Sequence, residues 1–273
     1  LNTLLLAHNI TPVFLKGTGN LAAGLYEDIA ERMVGDIDFI FSKEDYPKAI
    51  TVLRDNGYFP VHELRHIIPY FKRHYLRLKI KNNIAAVEIH NKLLIEKYTN
   101  EFNYSIVAQD PQTIHGFAVL SYANKLNLSI LANQINDNGF LYKTINLRNA
   151  YDVFLLSKKT DAKAAVNTLD KLRHPLNCFV AACHEVFNKA ASLEYHKTKK
   201  TASYLTVFTK QFLHSRKTKR QHQRIKTYLG IKMRLHILYK ALLYKEHRVW
   251  LFKLVTDKNW YKEKGIQLGV IKY

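Results

Sequence analysis

The sequence predicts an α+β chain. Strands and helices interleave over residues 1–109, helices follow over 110–214, and a basic helical segment closes the chain over 215–273. Three observations predict this. Short apolar runs at Val13–Leu15, Phe39–Phe41 and Ile84–His90 have strand length and are separated by helix-like segments. Beyond Asp110 the apolar residues Leu120, Ala123, Leu126, Leu128 and Leu131 suit a helix over 111–135. Charge is also unevenly spread. Residues 196–273 hold 20 Lys and Arg against 3 Asp and Glu, whereas residues 1–195 hold 22 against 19.

The elements follow in order. Asn2–Asn9 reads as the end of a helix, which Thr11-Pro12 breaks before the strand at Val13. Lys16-Gly17-Thr18-Gly19 forms a turn in which glycine permits close approach and positive φ. A helix then opens at Asn20 and runs through Tyr26 to Arg32, with Thr18 or Asn20 as its N-cap. The run Asp36–Phe41 is the second strand. Ser42 caps a helix to Asn56, with Asp45 three residues on, and Gly57 ends it. Tyr58–Val61 begins a strand. Tyr75–Ile80 alternates as a strand, and Asn82-Asn83 turns the chain into Ile84–His90 to make a hairpin. Leu147–Ser157 is an amphipathic helix with Arg148 and Asp152 at ion-pair spacing. One or two further helices occupy 161–195. Ser215–Arg224 is basic and poor in apolar residues, and Ile231–Val255 reads as one basic helix carrying Leu, Tyr, Trp and Phe.

Composition narrows the class. With 273 residues and 47% hydrophobic content the chain can build a substantial core. No apolar run has the length of a membrane span. Leu1–Ile10 lacks the basic start and cleavage site of a signal peptide, and an opening on Leu reads as a trimmed end. Cys178 and Cys183, five apart in a helical stretch, read as buried free thiols, which fits a cytoplasmic protein, peripheral at most to a membrane. The sequence His62-Glu63-Leu64-Arg65-His66 spells a zinc-protease motif. Pro60 and Pro69 leave it only a short helix, which disfavours zinc chemistry.

The chemistry concentrates in three acidic residues. Alternate residues of a strand share a face, so Asp36 and Asp38 lie together with Ile37 opposite. Two adjacent carboxylates beside a core repel unless a cation lies between them, although a solvated strand edge would also accommodate them. Glu88 sits inside another apolar run, where a charge needs a partner or a metal. Together the three suit two Mg²⁺ ions. The turn offers backbone N–H groups beside Lys16 for a triphosphate, and it also fits an ordinary strand-to-helix turn. Arg32 either contacts phosphate or pairs with a carboxylate. His90 shares the Glu88 face and could orient a carboxylate, touch nucleotide or serve structure.

Taken together, LKGTGNLAAGLY, the R-x-x-x-D-I-D of Arg32–Asp38, the pair Gly57-Tyr58 and the V-E-I-H of Val87–His90 resemble the nucleotidyltransferase-like family of the DNA polymerase β superfamily. The resemblance covers roughly Leu4–Leu94. It implies a polymerase β-like domain, a mixed sheet flanked by helices, followed by a helical domain that closes over nucleotide or presents the acceptor. It also implies Gly17 and Thr18 at the Gly-Ser position of the turn, Asp36 and Asp38 as metal ligands, and Glu88 as the third carboxylate. A His in the loop before the third-carboxylate strand, here His66, would approach substrate.

The function expected is Mg²⁺-dependent transfer of a nucleoside monophosphate from an NTP, with ATP the expected donor, to an acceptor hydroxyl. Pyrophosphate leaves. Asp36, Asp38 and Glu88 are the catalytic and metal-binding residues; Lys16, Gly17, Thr18 and Arg32 bind the nucleotide. A small molecule, RNA or a protein could each serve as acceptor. The second reading is a non-catalytic protein on a degenerate nucleotidyltransferase fold that binds nucleic acid or an anionic membrane. The basic C-terminal segment suggests an anionic partner, and a solvated basic helix face remains the plainer alternative.

Overall fold

A computed structural model describes residues 1–61 and 73–267. Within it the chain forms two compact units. The described part of the first comprises residues 1–61 and 73–218, and that of the second residues 219–267. The His62–His66 motif, and with it the expected approach of His66 to substrate, lies outside the described residues.

The first unit is built on a seven-stranded mixed sheet: β1 (Val13–Phe14), β2 (Asp36–Ile40), β3 (Phe59–Pro60), β4 (Leu78–Lys79), β5 (Ala86–His90), β6 (Pro111–Ile114) and β7 (Phe117–Leu120), in the order β3-β4-β5-β2-β1-β7-β6. β2 runs parallel to β5 and β1 parallel to β7, while the other described pairings are antiparallel. Side-chain alternation divides the sheet into two faces. Phe14, Phe39, Val87, Ile89 and Leu78 pack on one side with Leu5 of α1 (Asn2–Leu6) and with Ala49 and Leu53 of α3 (Asp45–Asp55). Val13, Leu15, Ile40 and Leu120 face the other way, into a core shared with the helices that follow.

Those helices begin with α4 (Tyr104–Val107) and α5 (Tyr122–Leu131), the latter extended by a π-helical turn over Ala132–Asn136. Next come α6 (Gly139–Tyr142), α7 (Leu147–Ser157), α8 (Ala162–Asn167), α9 (Arg173–Val186) and α10 (Lys199–Leu213). Capping explains several of their starts. Ser121, Asn146, Asp161 and Thr198 each accept a hydrogen bond from a backbone N–H of the first turn of α5, α7, α8 and α10. Both cysteines are buried free thiols on α9. A mixed sheet flanked and followed by helices is the α+β arrangement that the sequence predicts.

Several local expectations are corrected. The helix after β1, α2 (Lys16–Ala22), starts at Lys16 rather than Asn20, so Gly17, Thr18 and Gly19 lie within it. The positive φ belongs to Lys16, at 49°, and to neither glycine of the turn. Gly19 is needed for a different reason: a Cβ there would stand 2.5 Å from the carbonyl oxygen of Phe14. The stretch before β2 is a short 3₁₀ turn over Ile29–Glu31, not a continuation of the helix. Residues 111–120 form the β6–β7 hairpin, so the sheet extends past residue 109 and the predicted helix starts only at Tyr122. Pro111 is tolerated because β6 is an edge strand. Near the C-terminus, the basic stretch from Ser215 is already helical in α11 (Ser215–Leu243), and a break at Tyr244 separates it from α12 (Lys245–Thr256). The last described helix is α13 (Lys258–Gln267).

Candidate active site

The parallel register sets the site. Asp38 lies opposite Glu88, Asp36 opposite Ala86, and Ile40 opposite His90. Ile37 and Phe39 are opposite Val87 and Ile89 on the reverse face. All three carboxylates therefore project from one side of the sheet, together with His90. The antiparallel pairing of Leu78 with Val87 turns Arg77 to this side too.

Basic groups hold the acids in place. Lys16 Nζ donates to Asp38 Oδ1 at 2.5 Å and lies 3.8 Å from Glu88 Oε2. Arg77 bridges the other pair: its Nε donates to Glu88 Oε1 at 2.8 Å and its Nη2 pairs with Asp36. His90 Nε2 lies 2.8 Å from Asp38 Oδ1, and its Nδ1 has no hydrogen-bond partner among the described residues. Burial would raise the Asp38 pKa, but the His90 hydrogen bond and the charge of Lys16 outweigh it and bring it to about 2. Burial pulls the His90 pKa down, and Lys16 adds to that, against the pull of Asp38. A neutral imidazole donating from Nε2 accounts for both groups.

The backbone fixes the strand beneath. Leu15 N–H donates to the Asp38 carbonyl at 2.9 Å, and Thr18 Oγ1 donates to the Asp36 carbonyl at 3.2 Å. α2 is thus tied to β2 at the residues that carry the carboxylates. Arg73 completes the surroundings. Burial lowers its pKa, while the charges of Asp137, Glu88 and Asp38 act in the opposite sense.

The donor set fits a divalent cation. One ligand atom from each of Asp38, Glu88 and His90 lies within 4.8 Å of the others. The carboxylate oxygens suit a hard ion such as Mg²⁺, whereas the imidazole is better suited to orienting Asp38, as it does through Nε2.

Residues 1–226 match a family model described as an uncharacterised nucleotidyltransferase. The chain belongs to this family. The nucleotidyltransferase has no match among curated proteins. Among solved structures it is similar to the antibiotic-resistance factor ANT(2'')-Ia in solution, at 12% identity and a TM-score of 0.38, covering 68% of this chain and 92% of that one. The crystal structure of ANT(2")-Ia with adenylyl-2"-tobramycin aligns at 13% identity and a TM-score of 0.38, covering 68% and 93%. JHP933 from Helicobacter pylori aligns at 12% identity and a TM-score of 0.36, covering 84% and 93%.

The remaining residues singled out in the nucleotidyltransferase sequence divide between site and scaffold. Lys16 lies among the carboxylates, with Gly17 and Thr18 next to it on α2. A Cβ at Gly17 would meet Val34 Cγ2 at 2.9 Å and Arg32 Cζ at 3.2 Å. Arg32 is engaged elsewhere. Its Nε donates to Asp152 at 3.1 Å and its Nη1 to the Met33 carbonyl at 2.8 Å. Asp152 thus takes its cation from a distant loop instead of from Arg148, which is exposed. Tyr26 hydroxyl donates to the same carboxylate at 2.7 Å.

Sequence reasoning missed Arg73 and Arg77. Arg77 carried a legible signal: within Tyr75–Ile80 it alternates with Leu76 and Leu78, so it had to project away from the core, on the strand that pairs with the Glu88 strand.

Proposed function

We propose that this nucleotidyltransferase moves a nucleoside monophosphate from an NTP to an acceptor hydroxyl, in a Mg²⁺-dependent reaction centred on Asp36, Asp38 and Glu88. The observation that carries the proposal is the shared face: three carboxylates from two parallel strands project to one side beside Lys16 and Arg77, and Asp38 and Glu88 bring oxygens within 4.8 Å of each other. In the reaction the acceptor oxygen bonds to the α-phosphorus, the bond to the β,γ-diphosphate breaks, and pyrophosphate leaves. Bound Mg²⁺ would neutralise phosphate charge and increase the acidity of the attacking hydroxyl.

The residues take distinct roles. Asp36 and Asp38 would supply the oxygen ligands for two ions, and Glu88 would complete the set and draw the hydroxyl proton. His90 positions Asp38 through its Nε2. Lys16 adds positive charge for the triphosphate, beside the N–H groups of Gly17 and Thr18. Arg32 supports the site by bonding to Asp152, and we assign it no contact with nucleotide. ATP is the expected donor. A small molecule, RNA or a protein remains open as acceptor.

The test is incubation of the protein with each α-labelled NTP, Mg²⁺ and cell lysate. Label should enter one class of acceptor, require the divalent ion, and be absent with Asp38→Asn or Glu88→Gln. Equal labelling by wild type and both variants would remove these carboxylates from the mechanism.

A further inference from the structure

α11 presents an exposed apolar row. Tyr228, Ile231, Leu235, Leu238 and Leu242 follow one another at intervals of three and four, which places them in a single stripe along the helix. Each is between 51% and 78% exposed. The side chains that α11 does shelter lie elsewhere on its circumference: Leu229 and Ile237 are half-buried and Ala241 is buried. Near Ala241, Arg248 Nη1 of α12 donates to the carbonyls of Ala241 and Leu242 at 3.2 and 3.0 Å.

The charges around the stripe indicate what covers it. Towards the N-terminus of α11 the same line continues as Arg224 and Arg220, and Lys232 and Arg234 flank it on either side, all exposed. On α12, Phe252 is exposed on the face that also carries Lys245 and Arg248. A second copy of this chain would bring like charges against these cations, with only 3 acidic residues among 196–273 to offset them. Nucleic acid would satisfy the cations, but the two exposed aromatics of this face, Tyr228 and Tyr239, stand about 16 Å apart along the helix, with the aliphatic Ile231, Leu235 and Leu238 between them, which is no platform for successive bases. An anionic bilayer surface suits both parts. Aliphatic side chains enter the acyl boundary while Lys and Arg reach back to the headgroups. No helix among the described residues is long and apolar enough to cross a membrane, so the fit is to a helix lying in the surface.

We propose that α11 docks on an anionic lipid surface through the Tyr228–Leu242 stripe and its bordering arginines and lysines. The inference is independent of the catalytic reading.

The test is co-sedimentation of the 273-residue protein with vesicles of phosphatidylcholine alone or with about 30% phosphatidylserine. Binding should be roughly ten-fold stronger to the anionic vesicles and weaken as salt rises. The double variant Leu235→Glu/Leu238→Glu should lose about ten-fold or more. Arg220→Glu/Arg224→Glu should lose the preference for phosphatidylserine. Far-UV circular dichroism checks that both variants keep their helices; wild-type binding alone decides the matter if they do not. Three results would each overturn the proposal: no sedimentation with either vesicle, RNA or DNA binding with no vesicle binding, or a dimer in light scattering that Leu235→Glu/Leu238→Glu dissociates while vesicle binding is unchanged.

Discussion

Asp38 and Lys125 show how differently this protein treats a charge beside its core. Asp38 has two donors, Lys16 and His90, and stays ionised to about pH 2. Replacing it with Asn keeps the shape and removes the charge. We expect Asp38→Asn to lower NTP turnover by a hundredfold or more, with a matching loss of Mn²⁺ binding. Calorimetric titration with Mn²⁺ separates metal loss from misfolding; unchanged binding would take Asp38 out of the ligand set. Lys125, on α5, is 4% exposed, and its Nζ has no hydrogen-bond partner among the described residues. Burial lowers its pKa from 10.5 to about 8. Between these values the unfolded chain holds the proton and the folded one does not, so stability gains with rising pH across that window. Below about pH 8 the full penalty is present, roughly 3 kcal/mol. Lys125→Met should therefore be more stable at pH 7 and should lack the extra gain that wild type shows between pH 8 and 10. Parallel urea titrations of the two proteins read this directly.

At the scale of elements, two close contacts hold the site's supports. Gly19 lets α2 lie against the end of β1, where the Phe14 carbonyl leaves no room for a Cβ. Because backbone must move to admit it, Gly19→Ala should cost about 1–3 kcal/mol in urea unfolding and weaken Mn²⁺ binding, since α2 also carries Lys16. Asp152 on α7 is 2% exposed and gathers Arg32 and Tyr26 from the segment before β2. Asp152→Ala leaves the Arg32 guanidinium without its carboxylate and should cost about 3–5 kcal/mol. If that variant unfolds at the wild-type urea midpoint, the buried pair does not brace the fold. These elements differ in how far the sequence exposes them. The β2 and β5 faces were legible because charges at alternate positions in an apolar run can point only one way. The β6–β7 hairpin was not, because its turn is His115-Gly116, both at positive φ, instead of a familiar Asn-Gly, and Pro111 argues against a strand unless the strand is at an edge. α11 was under-read at its start because Ser215–Arg224 has little apolar periodicity, although Lys, Arg and Gln are good helix formers. The partner of Asp152 was invisible for a simpler reason: Arg148 is near in sequence, while Arg32 is near only in the folded chain.

At the scale of the whole molecule, chemistry and charge occupy different parts of the chain. The carboxylates, Lys16, Arg77 and His90 all belong to the first unit, whose cores run through the sheet and the helices up to α10. The described part of the second unit buries little beyond Ala241 and His247. Apolar burial is the main favourable term in folding, so the second unit should melt at the lower temperature. Ligand linkage then gives a sign test. Under the proposed function, Mg²⁺ with a non-hydrolysable NTP should bind the native first unit only, and at a hundred times Kd it should add about 2.7 kcal/mol there. For a unit of this size that raises the upper transition by roughly 5–10 °C and leaves the lower one where it was. Differential scanning calorimetry with and without the ligands measures both. A shift confined to the lower transition would place nucleotide binding on the basic helices instead of the carboxylate face, and the assignment of the site to β2 and β5 would fail with it.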